Sequence, residues 1–79
     1  MITSDVVTAY IQRVLPGAVV SVIDLKGTMD HFKLKVVSDS FVGKTIMDRH
    51  RMIYQALDDP MKDGRIHALE ITAETTDGS

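Results

Sequence analysis

The chain has 79 residues and a formal net charge of −2 at pH 7, with 44% hydrophobic and 25% charged residues. This length allows one compact domain, and this composition is typical of a globular protein and excludes a disordered chain. With this small negative net charge, the protein as a whole does not attract nucleic acid or anionic lipid electrostatically. Any such binding must therefore depend on a local patch of basic residues. Because the sequence contains no cysteine, disulfide scaffolds, thiolate nucleophiles and zinc ribbons are excluded.

The sequence shows no targeting or membrane-spanning signal. Its first residues lack a basic segment followed by an apolar run, and no stretch approaches the roughly 20 apolar residues of a membrane span. We therefore expect a cytoplasmic protein with no membrane partner. We also expect residues 1–79 to form a single domain, with a frayed polar tail over 74–79.

The first half of the chain predicts a helix followed by two strands. Thr3 or Ser4 is available to cap the helix, Pro16 stops it, and its apolar residues recur at helical spacing: Val6, Val7, Tyr10, Ile11, Val14 and Leu15. The run 18–24 is short and rich in β-branched residues, and 31–38 alternates apolar and polar residues. These two runs predict an antiparallel pair of strands.

The second half predicts a helix and a last strand. From Thr45 the spacing is helical, and the residues expected on its core-facing side are Ile46, His50, Ile53, Tyr54 and Leu57. The residues at 58–60 end this helix, a short turn or helical turn follows over 61–63, and the strand is predicted over 65–73. One face of that strand is expected to carry His67, Leu69, Ile71 and Ala73.

The order of these elements predicts the architecture. Two strands joined by a helical crossover should be parallel with a right-handed connection, so the second and third strands are expected to pair in that way. The result is an α+β fold of order α-β-β-α-(short α)-β, with a three-stranded mixed sheet and the helices on one face. This is the topology of the class II KH fold.

Motifs for enzymatic chemistry are incomplete. Gly43, Lys44 and Thr45 resemble the end of a phosphate-binding loop, but Ser38 occupies the position where that motif needs its first glycine. We find no zinc-protease motif and no nucleophile elbow. We therefore do not expect an enzyme.

A KH-like topology raises the possibility of nucleic-acid binding, yet no two glycines have the spacing of a GXXG loop. The aromatic residues Tyr10, Phe32 and Tyr54 are expected in the core, so few aromatic side chains remain on the surface to stack on bases. Five basic residues could still form a local patch or simply a solvated surface: Lys33, Lys35, Lys44, Arg49 and Arg51.

The histidines are the available nitrogen ligands for a metal. His50 lies on the apolar side of the second helix, which favours a structural role at the edge of the core. His31 and His67 lie near the starts of the two strands expected to be parallel, hence at the same end of the sheet. There they could supply half of a four-coordinate site, although His67 could equally be a capped core residue.

Three segments resemble the BolA family, whose pattern reads F-x-G-K, RHR-x-[VI]-Y and IHAL. The matching segments are Phe41-Val42-Gly43-Lys44, Arg49-His50-Arg51-Met52-Ile53-Tyr54 and Ile66-His67-Ala68-Leu69. The resemblance covers most of the chain and implies a class II KH-like fold. It also implies association with a monothiol glutaredoxin and a shared [2Fe–2S] cluster, in iron–sulfur trafficking or in iron and redox regulation.

By position, the resemblance makes His67 the cluster ligand near the C terminus. The family's second ligand is a Cys or His in the loop between the first two strands, where this sequence offers His31, which is alternatively only the first residue of a strand. Our first hypothesis is therefore an adaptor that completes a cluster together with a glutaredoxin and glutathione, with no cluster bound by the isolated chain. Our second is a nucleic-acid-binding transcriptional regulator of stress responses or morphology, with DNA as a possible partner, that uses the KH-like scaffold and the five basic residues.

Overall fold

The computed structural model describes residues 1–78. In chain order its elements are helix α1 Ser4–Val14, strand β1 Val19–Asp24, strand β2 His31–Val37, a 3₁₀ turn Asp39–Phe41, helix α2 Ile46–Ala56, helix α3 Asp58–Lys62 and strand β3 Ala68–Glu74. The predicted order of elements is confirmed. None of the helices within residues 1–78 has the length and apolar character needed to cross a membrane.

The strands of this part of the chain form one mixed sheet in the order β1-β2-β3. Strand β1 pairs with β2 in the antiparallel sense, and β2 pairs with β3 in the parallel sense. Val22 lies opposite Leu34, and Leu34 lies opposite Ile71, so these three side chains share one face of the sheet. The predicted α+β fold is confirmed, including its three-stranded mixed sheet.

A single apolar core lies between that face and the helices. Phe32, Leu34 and Val36 of β2 contribute to it together with helix residues that include Val7 and Ile53. The opposite side chains of β2, among them Lys33 and Lys35, are exposed. The helices therefore cover one face, as predicted, and leave an outer face of the sheet open to solvent.

Side chains that satisfy backbone groups cap the first residues of α1 and α2. The hydroxyl of Thr3 accepts a hydrogen bond from the backbone N–H of Val6, and Thr45 does the same for Asp48. The second helix ends at Ala56, just before the predicted stop at 58–60, and the predicted short helical turn is α3, which begins earlier than expected, at Asp58, and includes Pro60. A proline is tolerated in the first turn of a helix, where its missing N–H would have had no partner.

The core-facing side of α2 differs from the prediction. Ile46 and Tyr54, expected in the core, are 60% and 42% exposed, whereas Arg49 is only 8% exposed. The Nη1 group of Arg49 donates a hydrogen bond of 3.1 Å to the carbonyl of Ala73, and its Nε donates to the carbonyl of Lys44 at 3.2 Å. These bonds hold Arg49 inward, beside Ile53 and Leu57, which are fully buried as predicted.

The C-terminal segment also differs from the prediction of a frayed tail over 74–79. Glu74 belongs to β3, and its carbonyl accepts a hydrogen bond of 3.0 Å from the backbone N–H of Ser38. Thr75 is only 5% exposed, and the hydroxyl of Thr76 donates to Asp39 at 2.6 Å. This segment packs against the 3₁₀ turn, while Ser79 lies outside the described residues.

Candidate metal centre at the end of the sheet

The loop between β1 and β2 is organised by the side chain of Asp24. Its two carboxylate oxygens accept hydrogen bonds of 3.0 Å from the backbone N–H groups of Gly27 and Met29. Met29 adopts a φ of 60°, which is unusual for a residue other than glycine. The carbonyl of Met29 accepts a further hydrogen bond of 3.0 Å from the N–H of Ile2. These contacts fix the conformation of the loop immediately before Asp30.

The parallel pairing of β2 and β3 brings two histidines together. His31 is the first residue of β2, and His67 directly precedes β3. The backbone N–H of His67 donates a hydrogen bond of 2.7 Å to the carbonyl of Asp30, which joins the starts of the two strands. The centroids of the two imidazole rings lie 5.8 Å apart with an interplanar angle of 79°. The prediction that both histidines lie at one end of the sheet is confirmed.

The carboxylate of Asp30 lies between the two rings. Its Oδ1 is hydrogen-bonded to Nδ1 of His31 at 2.7 Å, and its Oδ2 lies 3.1 Å from Nδ1 of His67. One donor atom from each of these three side chains lies within 4.8 Å of the others. The side chain of His67 is 57% exposed and those of Asp30 and His31 are partly buried, so the cluster is open to solvent on one side.

The electrostatics of the cluster define the protonation of its members. A hydrogen bond from the hydroxyl of Thr28, and then one from His31, lower the pKa of Asp30 to about 2. The carboxylate is therefore charged at neutral pH and can only accept hydrogen bonds. Nδ1 of His31 must therefore carry the ring proton, because it is hydrogen-bonded to this carboxylate. Nδ1 of His67 is favoured to carry its ring proton for the same reason, since an unprotonated Nδ1 would place its lone pair against the negatively charged Oδ2. In each neutral ring Nε2 is then the nitrogen available for a new bond.

We expect the stability of the metal-free protein to report this lowered pKa. An aspartate in an unfolded chain has a pKa of about 3.9. Because the pKa of Asp30 is lower in the folded protein, its contribution to the free energy of unfolding is complete above about pH 3.9. The free energy of unfolding should fall as the pH drops from about 4 toward 2, because the unfolded chain then takes up a proton first.

Urea titrations over this pH range provide the measurement. In Asp30→Asn the free energy of unfolding should decrease less over this pH range than in the unchanged protein. Equal slopes for the two proteins would contradict the lowered pKa of Asp30.

Sequence reasoning identified the two histidines and missed Asp30. The alternative that His67 is a capped core residue is wrong, because Ile66 and not His67 is the buried residue at this point. The available signal for Asp30 was its position directly before His31, where the parallel pairing also places it beside the start of β3. His50 lies apart from the cluster, half-buried in a groove that Ile46 and Ile71 help to line.

The five basic residues predicted as a surface do not form one patch. Arg49 is buried and bonded to backbone carbonyls, so it does not belong to the surface. Lys33 and Lys35 lie on the outer face of the sheet, where Nζ of Lys35 is 3.8 Å from a carboxylate oxygen of Glu74. Arg51 belongs to α2 and Lys44 to the loop before it, and both lie on the opposite side of the sheet. The exposed members of the set are therefore divided between two faces.

Comparison with known proteins gives one matching family model, described as BolA-like protein, over residues 17–78. The chain is 39% identical over 77 residues to the protein BOLA2 of Arabidopsis thaliana, covering 96% of this chain and 81% of that protein. It is 41% identical over 49 residues to the DNA-binding transcriptional regulator BolA of Escherichia coli, covering 62% and 46% of the two chains.

Other similarities concern a domain of a larger protein and a solved structure. A SufE-like protein of Arabidopsis thaliana is 53% identical over 45 residues, which cover 57% of this chain and only 12% of that protein. The structure of BolA1 from Arabidopsis thaliana matches with a TM-score of 0.85 and 28% identity, covering 96% of this chain and 94% of that one.

Proposed function

Because the chain belongs to the BolA-like family, we propose that it is an adaptor that binds a monothiol glutaredoxin and helps to hold a shared [2Fe–2S] cluster. The partner and its glutathione supply the remaining ligands. The observation that carries this proposal is the pair of imidazole rings, 5.8 Å apart, at one partly exposed end of the sheet. The role is in iron–sulfur trafficking or in iron and redox regulation.

The donor set of this chain fits a shared cluster. A [2Fe–2S] cluster needs four protein or small-molecule ligands, and two imidazoles replace two thiolates in Rieske centres. This chain has no cysteine, so it offers nitrogen ligands and depends on another molecule for sulfur. His67 is the more exposed of the two candidate ligands, and His31 is the second.

The position of Asp30 supports ligation through Nε2 of each ring. A carboxylate that holds the Nδ1 proton fixes the orientation of the ring and increases the basicity of the other nitrogen. The loop contacts of Asp24 hold this carboxylate in place before any cluster arrives. Such preorganisation reduces the cost of ordering the ligands.

The surface beside the histidines supports docking of a partner at this end of the sheet. Leu25 and Ile23 are exposed apolar side chains, and the backbone N–H of Leu25 donates to the carbonyl of His31 at 2.8 Å. Ile23 and His31 lie on the same outer face of the sheet. A partner that brings sulfur ligands to the cluster would cover these apolar side chains at the same time.

The test is coexpression of the chain with a monothiol glutaredoxin, followed by visible absorption and circular dichroism spectroscopy. We expect a one-to-one complex whose cluster spectrum differs from that of the glutaredoxin alone, because imidazole replaces thiolate at one iron. A complex without iron, or a spectrum identical to that of the glutaredoxin alone, would contradict the proposal.

Nucleic-acid binding is the second candidate, favoured by the name of the Escherichia coli relative. Since Arg49 is buried, the outer face offers Lys33 and Lys35. Two phosphate contacts correspond to a slope of about −2 in a plot of log affinity against log salt concentration. Fluorescence anisotropy with duplex and single-stranded oligonucleotides should give this shallow slope, reduced further in Lys33→Gln. Absence of binding at low salt would remove this candidate.

A further inference from the structure

We propose that Asp30, His31 and His67 form a three-donor site for one divalent transition-metal ion, which the chain binds without a partner. This goes beyond the proposed function, because it concerns a single ion, adds Asp30 as a direct ligand and needs no glutaredoxin. The carboxylate, which orients the rings for a cluster, here becomes part of the site itself.

The spacing of the donor atoms fits a metal ion. Metal–nitrogen and metal–oxygen bonds of about 2.0 to 2.2 Å separate neighbouring ligand atoms by about 3.0 to 3.5 Å in octahedral and tetrahedral sites. The observed separations from the Asp30 oxygens are 2.7 Å to Nδ1 of His31 and 3.1 Å to Nδ1 of His67. All three donor atoms lie within 4.8 Å of one another, so an ion can take the place of the Nδ1 hydrogens after small movements of the side chains.

The chemistry of the three donors defines the class of ion. Two imidazoles and one carboxylate are typical ligands of zinc and of non-haem iron, and without a thiolate the set has no preference for soft ions. Because the pKa of Asp30 is low, its carboxylate brings a full negative charge to the ion at neutral pH. Because His67 is largely exposed, water or another molecule can occupy the remaining coordination positions.

Binding by this route changes the tautomer of both rings without releasing a proton from them. An ion bound to Nδ1 needs that nitrogen unprotonated, so each neutral ring carries its proton on Nε2. The hydroxyl of Thr28, which donates a hydrogen bond to the Asp30 carboxylate, remains as an outer partner of the ligand. The ring nitrogen that binds the ion thus differs from the one available to a cluster.

The test uses the full chain without a purification tag, titrated with Zn²⁺ by calorimetry and with Co²⁺ by visible absorption. We expect one ion per chain and a loss of affinity of about tenfold or more in both Asp30→Asn and His67→Gln. The matched control is His50→Gln, which alters a histidine outside the cluster. This variant should bind Zn²⁺ and Co²⁺ with the same affinity as the unchanged chain. Amide spectra of each variant verify that the fold is retained.

Long-range ¹H–¹⁵N spectra of the zinc form identify the bound nitrogen. We expect Nδ1 of His31 and His67 to lose its proton on binding. Absence of binding, an affinity unchanged in Asp30→Asn, or ligation through Nε2 would each overturn the three-donor site. Because no glutaredoxin is present in these experiments, such a failure leaves the cluster-sharing function to its own test.

Discussion

Replacing His67 by alanine is expected to abolish the mixed nitrogen and sulfur cluster in the complex with a glutaredoxin. The ring of His67 is the more exposed of the pair and therefore the more accessible to a partner's cluster. Without it, this chain, one glutaredoxin and one glutathione no longer supply four ligands, so the cluster is expected to return to the glutaredoxin, where a second glutaredoxin and its glutathione would complete an all-sulfur set. The reduction potential of the remaining cluster should fall by on the order of 100 mV, because imidazole ligation raises that potential.

Circular dichroism and a redox titration of the coexpressed complex measure this effect. His50→Ala is the matched control, since His50 lies apart from the cluster, and it should leave both readouts unchanged. His31→Ala distinguishes a second ligand from a residue that only begins β2, because loss of a ligand changes the spectrum. A His67→Ala complex with the spectrum and potential of the unchanged protein would contradict ligation by His67.

Replacing Arg49 by alanine is expected to destabilise the fold by about 3 kcal/mol, or roughly 15 °C in Tm for a chain of this size. The substitution removes the hydrogen bonds to the carbonyls of Ala73 and Lys44 and leaves these acceptors without their donor. It also removes the packing of the guanidinium near the ring of Phe41, whose centroid is 5.9 Å away. Chemical denaturation and calorimetry provide the measurement.

The matched control for Arg49 is Arg51, which lies two residues further along α2 and is directed to solvent. Its side chain is 68% exposed and lies 3.8 Å from Asp48, so Arg51→Ala should change stability by less than about 0.5 kcal/mol. Similar losses in both variants would contradict the structural role assigned to Arg49. The contrast also separates stability from any effect of basic charge on nucleic-acid binding.

Periodicity was sufficient to predict most of the fold. The alternation in β2 separates Phe32 and Leu34 from the exposed Lys33, and the helical crossover requires the parallel pairing of β2 with β3. The orientation of α2 could not be predicted in this way. A rule based on hydrophobicity assigns arginine to solvent, whereas the side chain of Arg49 donates to the carbonyl of Ala73, which lies beside it only when β3 has joined the sheet.

The candidate site was predictable to the extent that topology determines it. Parallel strands place their starts at one end, which brings His31 and His67 together without knowledge of any distance. The position of Asp30 beside the starts of both strands follows from topology, but the contact of its carboxylate with both rings could not be predicted, since it depends on the conformation of the loop around Asp24. An aspartate beside a histidine is common, and its contact with a second, distant histidine is a property of the folded chain.

The most direct test of cluster ligation by this chain is pulsed electron paramagnetic resonance of the reduced complex with a glutaredoxin. We predict strong ¹⁴N couplings from directly bound imidazole, which are lost in His67→Ala and retained in His50→Ala. A reduced cluster whose spectrum contains no coupling from bound nitrogen would contradict the account.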